Sequence, residues 1–198
     1  MAKMFLNTEK IILASGSPRR KAYLEEMGLS FRVVPASIKE ECASGEAPEH
    51  YIRRLAQEKS LYVAAKHPDC WVIAADTVVC LGDLLLEKPF DKENAVKMLM
   101  TLSGLEHIVR TAVCIHHGGK SILKVCSVST RVLFWDFNEH VAKSYVDSGE
   151  PMDKAGSYGI QGMGAFLVRE IHGSYSNVVG LPLYELIEML RQCKLITT

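Results

Sequence analysis

Ile11-Ile12-Leu13-Ala14-Ser15-Gly16-Ser17-Pro18-Arg19-Arg20 decides how this chain begins to fold. The apolar triplet reads as a buried strand, and the run carrying Tyr23, Leu24 and Met27 reads as an amphipathic helix ending at Gly28. Ser17 is a natural N-cap, and Pro18 at the first helical position gives up a donor that would be orphaned anyway. Arg19 and Arg20 then fall in the first helical turn, where the helix dipole disfavours cations and welcomes anions. Two arginines set against that dipole make sense if something strongly negative sits there. Small Ser-Gly-Ser residues beside free helical amides are a usual way to cradle phosphate. Taken alone, the pair reads as a solvated basic helix start, so the rest of the chain must decide.

The 198 residues suit one domain, spanning 1–198. A chain of this size buries roughly 70% of the surface it would expose when unfolded. Twenty-three basic residues balance twenty-three acidic ones, so no global field draws the chain to a nucleic-acid polymer or an anionic membrane. Any anion site must be local. Cys42, Cys70, Cys80, Cys114, Cys126 and Cys193 form no CxxC pair and fit reduced thiols in a cytoplasmic protein better than disulfides or zinc. The histidines lack metal spacing, and His116-His117 beside Gly118-Gly119 reads as a hairpin tip. Asn7, Thr8, Glu9 and Lys10 break the first thirteen positions, so the continuous apolar stretch expected of a signal peptide is missing there. No apolar run approaches transmembrane length.

Strand-like runs at 10–14, 31–35, 71–81, 106–117, 121–134 and 165–172 alternate with helical stretches near 18–28, 48–66, 91–102, 138–147 and 181–192. Asp91 caps a helix whose apolar face is Ala95, Met98, Leu99 and Leu102, ended by Gly104. Alternation combined with a long hairpin across Gly118-Gly119 predicts an α/β fold, with an elongated mixed β-sheet, flanking helices and a central cleft.

Three polar insertions stand out. Asp76 interrupts the apolar run Val72 to Val79, and a buried carboxylate must be paired, bound to metal or open to a cleft. Its functional readings are a ligand for a hard divalent cation or a base that activates water, and its bland one is a strand-end Asp bonded to backbone. Lys59, late in its helix, and Lys88, before Pro89, each read alone as surface cations; Glu40 and Glu41 read as a solvated acidic loop. Residues 148–162 carry spaced glycines with Tyr158 and Ile160, which predicts an ordered loop facing a pocket. The segment 173–182 is turn-rich, with Pro182 near the start of the last helix.

Taken together these segments resemble the Maf family of nucleoside triphosphate pyrophosphatases. The resemblance rests on Ser15 to Arg20, Glu58-Lys59, Ala75-Asp76-Thr77, Glu87-Lys88-Pro89, Asp153 to Gly156 with Gly159 to Gly162, and Val179 to Pro182. It implies a mixed α/β fold with a deep cleft, similar to that of the inosine triphosphate pyrophosphatases and often found as a homodimer. It also implies hydrolysis of a nucleoside triphosphate to monophosphate and pyrophosphate with a divalent cation, for which Mg2+ is the natural choice. Ser15, Arg19 and Arg20 would then hold the triphosphate. Lys59 and Lys88 would be cationic donors to the leaving pyrophosphate. Asp76 would be the proton acceptor, sharing the metal with Glu40. Ser60 departs mildly from the Ala that often follows this lysine in the family.

Arg19, Thr77 and Gln161 match family positions tied to specificity. A neutral amide at Gln161 can offer both a donor and an acceptor to a uracil or thymine edge, whereas the family's 7-methyl-GTP branch typically carries an acid near this position. The loop Asp153 to Gly156 followed by Ile160 to Gly162 resembles the family branch that acts on dTTP and UTP, and that resemblance implies these two as substrates. The alternatives are the same chemistry on modified or other nucleotides, or a nucleotide-binding regulator of septum formation with little turnover. A serine hydrolase is disfavoured, since Ser15 and Ser17 lack a GxSxG elbow.

Overall fold

The computed structural model describes residues 4–197. In chain order its strands are β1 (Leu6–Asn7), β2 (Ile11–Leu13), β3 (Phe31–Val33), β4 (Trp71–Leu81), β5 (Leu84–Leu86), β6 (Glu106–His117), β7 (Ile122–Phe134), β8 (Val168–His172) and β9 (Ile196–Thr197). Its α-helices are α1 (Pro18–Glu26), α2 (Pro48–Ala64), α3 (Lys92–Leu102), α4 (Glu139–Asp147), α5 (Tyr175–Val179) and α6 (Leu183–Gln192). Among the described residues a seven-stranded sheet runs β3-β2-β4-β6-β7-β8, with β5 paired to β4. It is mixed: β2 lies parallel to β3 and β4, whereas β5 is antiparallel to β4 and β8 to β7. The fold is α/β, a central mixed sheet with flanking helices.

The chain divides into two compact units. The first comprises Met1–Asp76, Thr111–Ser127 and Gly180–Thr198. Its parallel core follows from two periodicities. Ile12 of β2 and Ala14 just beyond its end, and Val72 and Ala74 of β4, recur every second residue and pack with Val63 and Ala64 of α2. Helix α2 in turn repeats buried Leu55, Lys59 and Val63 at intervals of four, which places all three on its inner face. The helix α1 begins as expected: Ser17 Oγ accepts from the Arg20 amide at 3.4 Å and Pro18 opens the first turn.

The second unit comprises Thr77–Arg110 and Val128–Val179. Its core joins Ala95, Leu99 and Leu102 of α3 to Ala142, Tyr145 and Val146 of α4, over Val132 and Phe134 of β7. Asp91 caps α3 through the Asn94 amide at 2.7 Å. A ring cluster adds directional packing: Phe134 meets His107 and Tyr158 edge to face, each with centroids 4.7 Å apart.

The structure amends the sequence reading in several places. The stretch 165–172 is not all strand: Gly162–Leu167 winds into 3-10 turns and only Val168–His172 pairs. Likewise the expected loop over 148–162 contains the short 3-10 turns Glu150–Asp153 and Ala155–Ser157, and α5 falls inside the turn-rich segment. These are short, glycine-interrupted elements whose ordering comes from side-chain contacts that periodicity does not register. The hairpin turns at Gly118–Lys120, yet His116 and His117 are buried rather than displayed at a tip.

Candidate active site

The polar cluster of the first unit lies where its parallel strands end. The register pairs Leu13 with Ile73, and the Ala14 amide donates to Ile73 O at 2.7 Å. Beyond that point β2 runs into Ser15 and α1, β3 runs into the loop carrying Glu40, and β4 reaches Asp76. The connection after β2 leads to β3 on one side, while β4 neighbours β6 on the other. Such a switch point, at the carboxyl ends of parallel strands, is where open α/β sheets bind ligands.

Asp76 continues the alternation of Val72 and Ala74, and Lys59 sits one helical turn before Val63. The two periodicities bring them together: Lys59 Nζ donates to Asp76 Oδ1 at 2.6 Å, and both residues are buried. Lys59 is therefore no surface cation. Glu40 Oε1 approaches the same ammonium at 2.9 Å from a more exposed position. Burial pushes the Asp76 carboxyl above the ordinary carboxylate range, against the pull of Lys59 and Arg20 and with a further push from Glu40. A carboxylate raised in this way is a better proton acceptor near neutral pH.

Arg20 ties three segments together. Its Nε donates to Gly180 O at 2.7 Å, and one Nη donates to both Ala75 O at 2.8 Å and Ser15 Oγ at 3.0 Å. The fork thus joins the Ser15 loop, the residue before Asp76 and the start of the final segment. Only a planar guanidinium offers donors in that spread. Arg19 is half-buried beside it.

The loop bearing Glu40 has its own anchor. Arg54 of α2 pairs with Glu46 at 2.6 Å and Glu58 at 3.1 Å, and donates to Glu41 O at 2.9 Å. Hydrogen bonds from Arg54 and the Ala43 amide hold the Glu46 carboxyl down at about 2. No pattern in the sequence marked Arg54, because its partners lie in an irregular loop. Ser60, the mild departure, is fully buried and donates to Gln57 O at 2.7 Å.

The second unit carries Thr77, Lys88 and Gln161. Thr77 is half-buried in β4, Lys88 is exposed after β5, and Gln161 is exposed between the 3-10 turns. The Gly156 amide donates to Glu87 O at 3.1 Å, which brings the Lys88 segment against Asp153–Gly156. Gly156 has φ +67°, and a Cβ there would lie 2.8 Å from Val79 Cγ2, so this position admits only glycine without strain.

This arrangement belongs to the class of α/β proteins that gather polar side chains at the carboxyl ends of parallel strands. The chain belongs to the Maf-like protein family, whose pattern matches residues 10–193. It is 53% identical to the dTTP/UTP pyrophosphatase of Desulfotalea psychrophila over 94% of this chain and 96% of that protein. Similar proteins of the same name occur in Nitratidesulfovibrio vulgaris, at 48% identity over 94% of this chain and 89% of that one, and in Aquifex aeolicus, at 44% over 94% and 97%. Among solved structures, the Staphylococcus aureus Ham1 protein aligns with 94% of this chain and 100% of its own at 13% identity, with a TM-score of 0.48.

Proposed function

We propose that this chain is a hydrolase that converts dTTP and UTP to the monophosphate and pyrophosphate by water attack at the α-phosphorus. The observation that carries the reading is the buried Lys59–Asp76 pair with Glu40 on the same ammonium, at the strand ends beside Ser15 and Arg20. The names of its relatives supply the substrates. Asp76 takes the proton of the attacking water at its raised carboxylate. Lys59 holds that carboxylate in place and, with Lys88, offers charge to the leaving pyrophosphate. Ser15 and Arg19 hold the triphosphate with Arg20, which also fixes the backbone at Ala75. Thr77 and Gln161 read the pyrimidine.

The chemistry of the donor set suits a divalent cation: Glu40 and Asp76 are two hard carboxylates that converge on one cationic group, the Lys59 ammonium, at 2.9 and 2.6 Å. Mg2+ is the ion this pair would suit, because it takes one or two protein carboxylates and fills its sphere with water and phosphate oxygens. Held by Glu40 and Asp76, such an ion would acidify a water and neutralise phosphate charge.

The reading extends to the whole chain acting as one Maf-like domain, 1–198, in the cytoplasm, as a homodimer. Among the described residues no helix is long and apolar enough to cross a membrane. The deciding experiment is product analysis of dTTP, UTP, CTP, GTP, ITP and 7-methyl-GTP with magnesium. Monophosphate and pyrophosphate from dTTP and UTP support the reading. Preference for 7-methyl-GTP would overturn the role of Gln161, and tight binding without turnover would favour a regulator.

A further inference from the structure

Gln161 precedes the glycine-rich 3-10 segment Gly162–Leu167. One carboxylate from the segment after α4 grips this turn. Glu150 Oε1 accepts from the Gly164 amide at 2.9 Å and from the Tyr145 hydroxyl at 2.8 Å. Glu150 Oε2 accepts from the Met163 amide at 2.8 Å. The same Tyr145 hydroxyl accepts from the Gly159 amide at 3.1 Å, so the loop is tied on both sides of Gln161. Against the upward push of burial, the Gly164 and Met163 amides and the Tyr145 hydroxyl hold the Glu150 carboxyl below its ordinary range.

The glycines of the loop record how closely this grip fits. Gly162 has φ +76°, and a Cβ there would lie 2.6 Å from Glu150 Oε2. A Cβ on Gly164 would collide with the Tyr145 hydroxyl and with Gly159 O, and one on Gly159 would lie 2.9 Å from Lys154 Cε. Lys154 closes the base of the arrangement by donating to Glu150 O and to Asp153 Oδ1, the latter at 2.6 Å. The backbone therefore approaches Glu150 and Tyr145 more closely than any side chain would permit. Charge-assisted bonds to backbone amides are directional and strong, which suits a device that fixes a main-chain course.

We propose that Glu150, braced by Tyr145, is the positioning residue for Gln161: it sets base selectivity through the backbone of residues 159–164 without touching the nucleotide. The inference rests on the reading of Gln161 as the residue that faces the pyrimidine. A glutamine at position 150 keeps one oxygen but turns an amide donor toward a backbone N–H, so one of the three bonds must be lost.

The test compares wild type with Glu150→Gln, Tyr145→Phe, Gln161→Ala and the double variant Glu150→Gln/Gln161→Ala. Two quantities are read: amide hydrogen exchange at Met163 and Gly164, and the ratio of kcat/KM for dTTP to that for CTP. In Glu150→Gln the exchange should quicken and the ratio should fall, each by roughly tenfold, as expected for one charge-assisted hydrogen bond. Tyr145→Phe should move both in the same direction, which keeps the proposal open to refutation if the glutamine variant does not fold. The double variant should discriminate no worse than Gln161→Ala alone, because Glu150 acts through that residue.

Unchanged exchange would overturn the grip whatever the substrate. Faster exchange with an intact ratio, in an enzyme whose ratio does fall in Gln161→Ala, would overturn positioning. Additive losses in the double variant would do the same. An unchanged ratio in Gln161→Ala would instead overturn the base-reading role and the selectivity argument with it, while the exchange data would still judge the grip.

Discussion

Lys59 Nζ lies 2.6 Å from Asp76 Oδ1, and both residues are buried between α2 and β4. Breaking a buried ion pair from one side strands a charge, whereas replacing both members by apolar groups does not. Lys59→Met should therefore destabilise the protein by roughly 3 kcal/mol, and Lys59→Met/Asp76→Leu should recover most of that loss. Urea unfolding measures both. A double variant as unstable as the single one would mean that the pair contributes more than mutual neutralisation.

Asp76→Asn keeps the shape of the side chain and removes its ability to take a proton. On the proposed mechanism kcat for dTTP falls by about 10²- to 10⁴-fold, the usual contribution of a general base. Nucleotide binding, followed by calorimetry, should persist. Equal losses of binding and turnover would place Asp76 in substrate retention instead.

Gln161→Glu replaces a side chain that both donates and accepts with one that only accepts. Turnover of dTTP should drop by roughly tenfold or more, since a site built to bond both edges of a base is left with an unmatched group. Unchanged dTTP kinetics would count against direct base reading.

Arg20→Lys retains the charge but cannot span Gly180 O, Ala75 O and Ser15 Oγ. Both thermal stability and kcat/KM should fall, because the fork holds the backbone on which Asp76 stands. A fall in kcat/KM with unaltered Tm would assign Arg20 to phosphate contact alone.

Burial drives the His107 imidazole down to about 4, with its Nε2 sharing a 2.8 Å hydrogen bond with the Tyr158 hydroxyl. Its folded value lies below its unfolded one, so the unfolded chain binds the proton first as the pH falls. Stability from this group is full above about pH 6.5 and declines between 6.5 and 4, by roughly 3 kcal/mol in all. Urea unfolding across this range should show the decline, and His107→Gln should flatten it.

The strands and helices that position the site were legible because their signals are local and periodic. Ser17-Pro18 announced the start of α1, Asp91 the start of α3, and the apolar residues on either side of Asp76 the strand β4. Ser15, Arg19, Arg20, Glu40, Lys59, Asp76, Thr77, Lys88 and Gln161 could be chosen by residue type and by resemblance to the family. Residues 148–167 were less legible: Glu150 and Tyr145 hold the amides of Gly159, Met163 and Gly164, and nothing in a glycine-rich stretch reveals which carboxylate will grip it.

By itself, the sequence determined the order of the longer elements, the family and the identity of the candidate groups, since caps, alternation and motifs act within a few residues of the chain; the short strands β1, β5 and β9 and the helix α5 carry no such signal. Tertiary structure decided which of those groups meet. It buried Lys59 against Asp76, spent the Arg20 fork on three distant segments, and pinned the Glu40 loop through Arg54. Those pairings depend on the register of β2 against β4 and on the face that α2 presents to them, and such long-range relations arise only when the sheet and its helices pack.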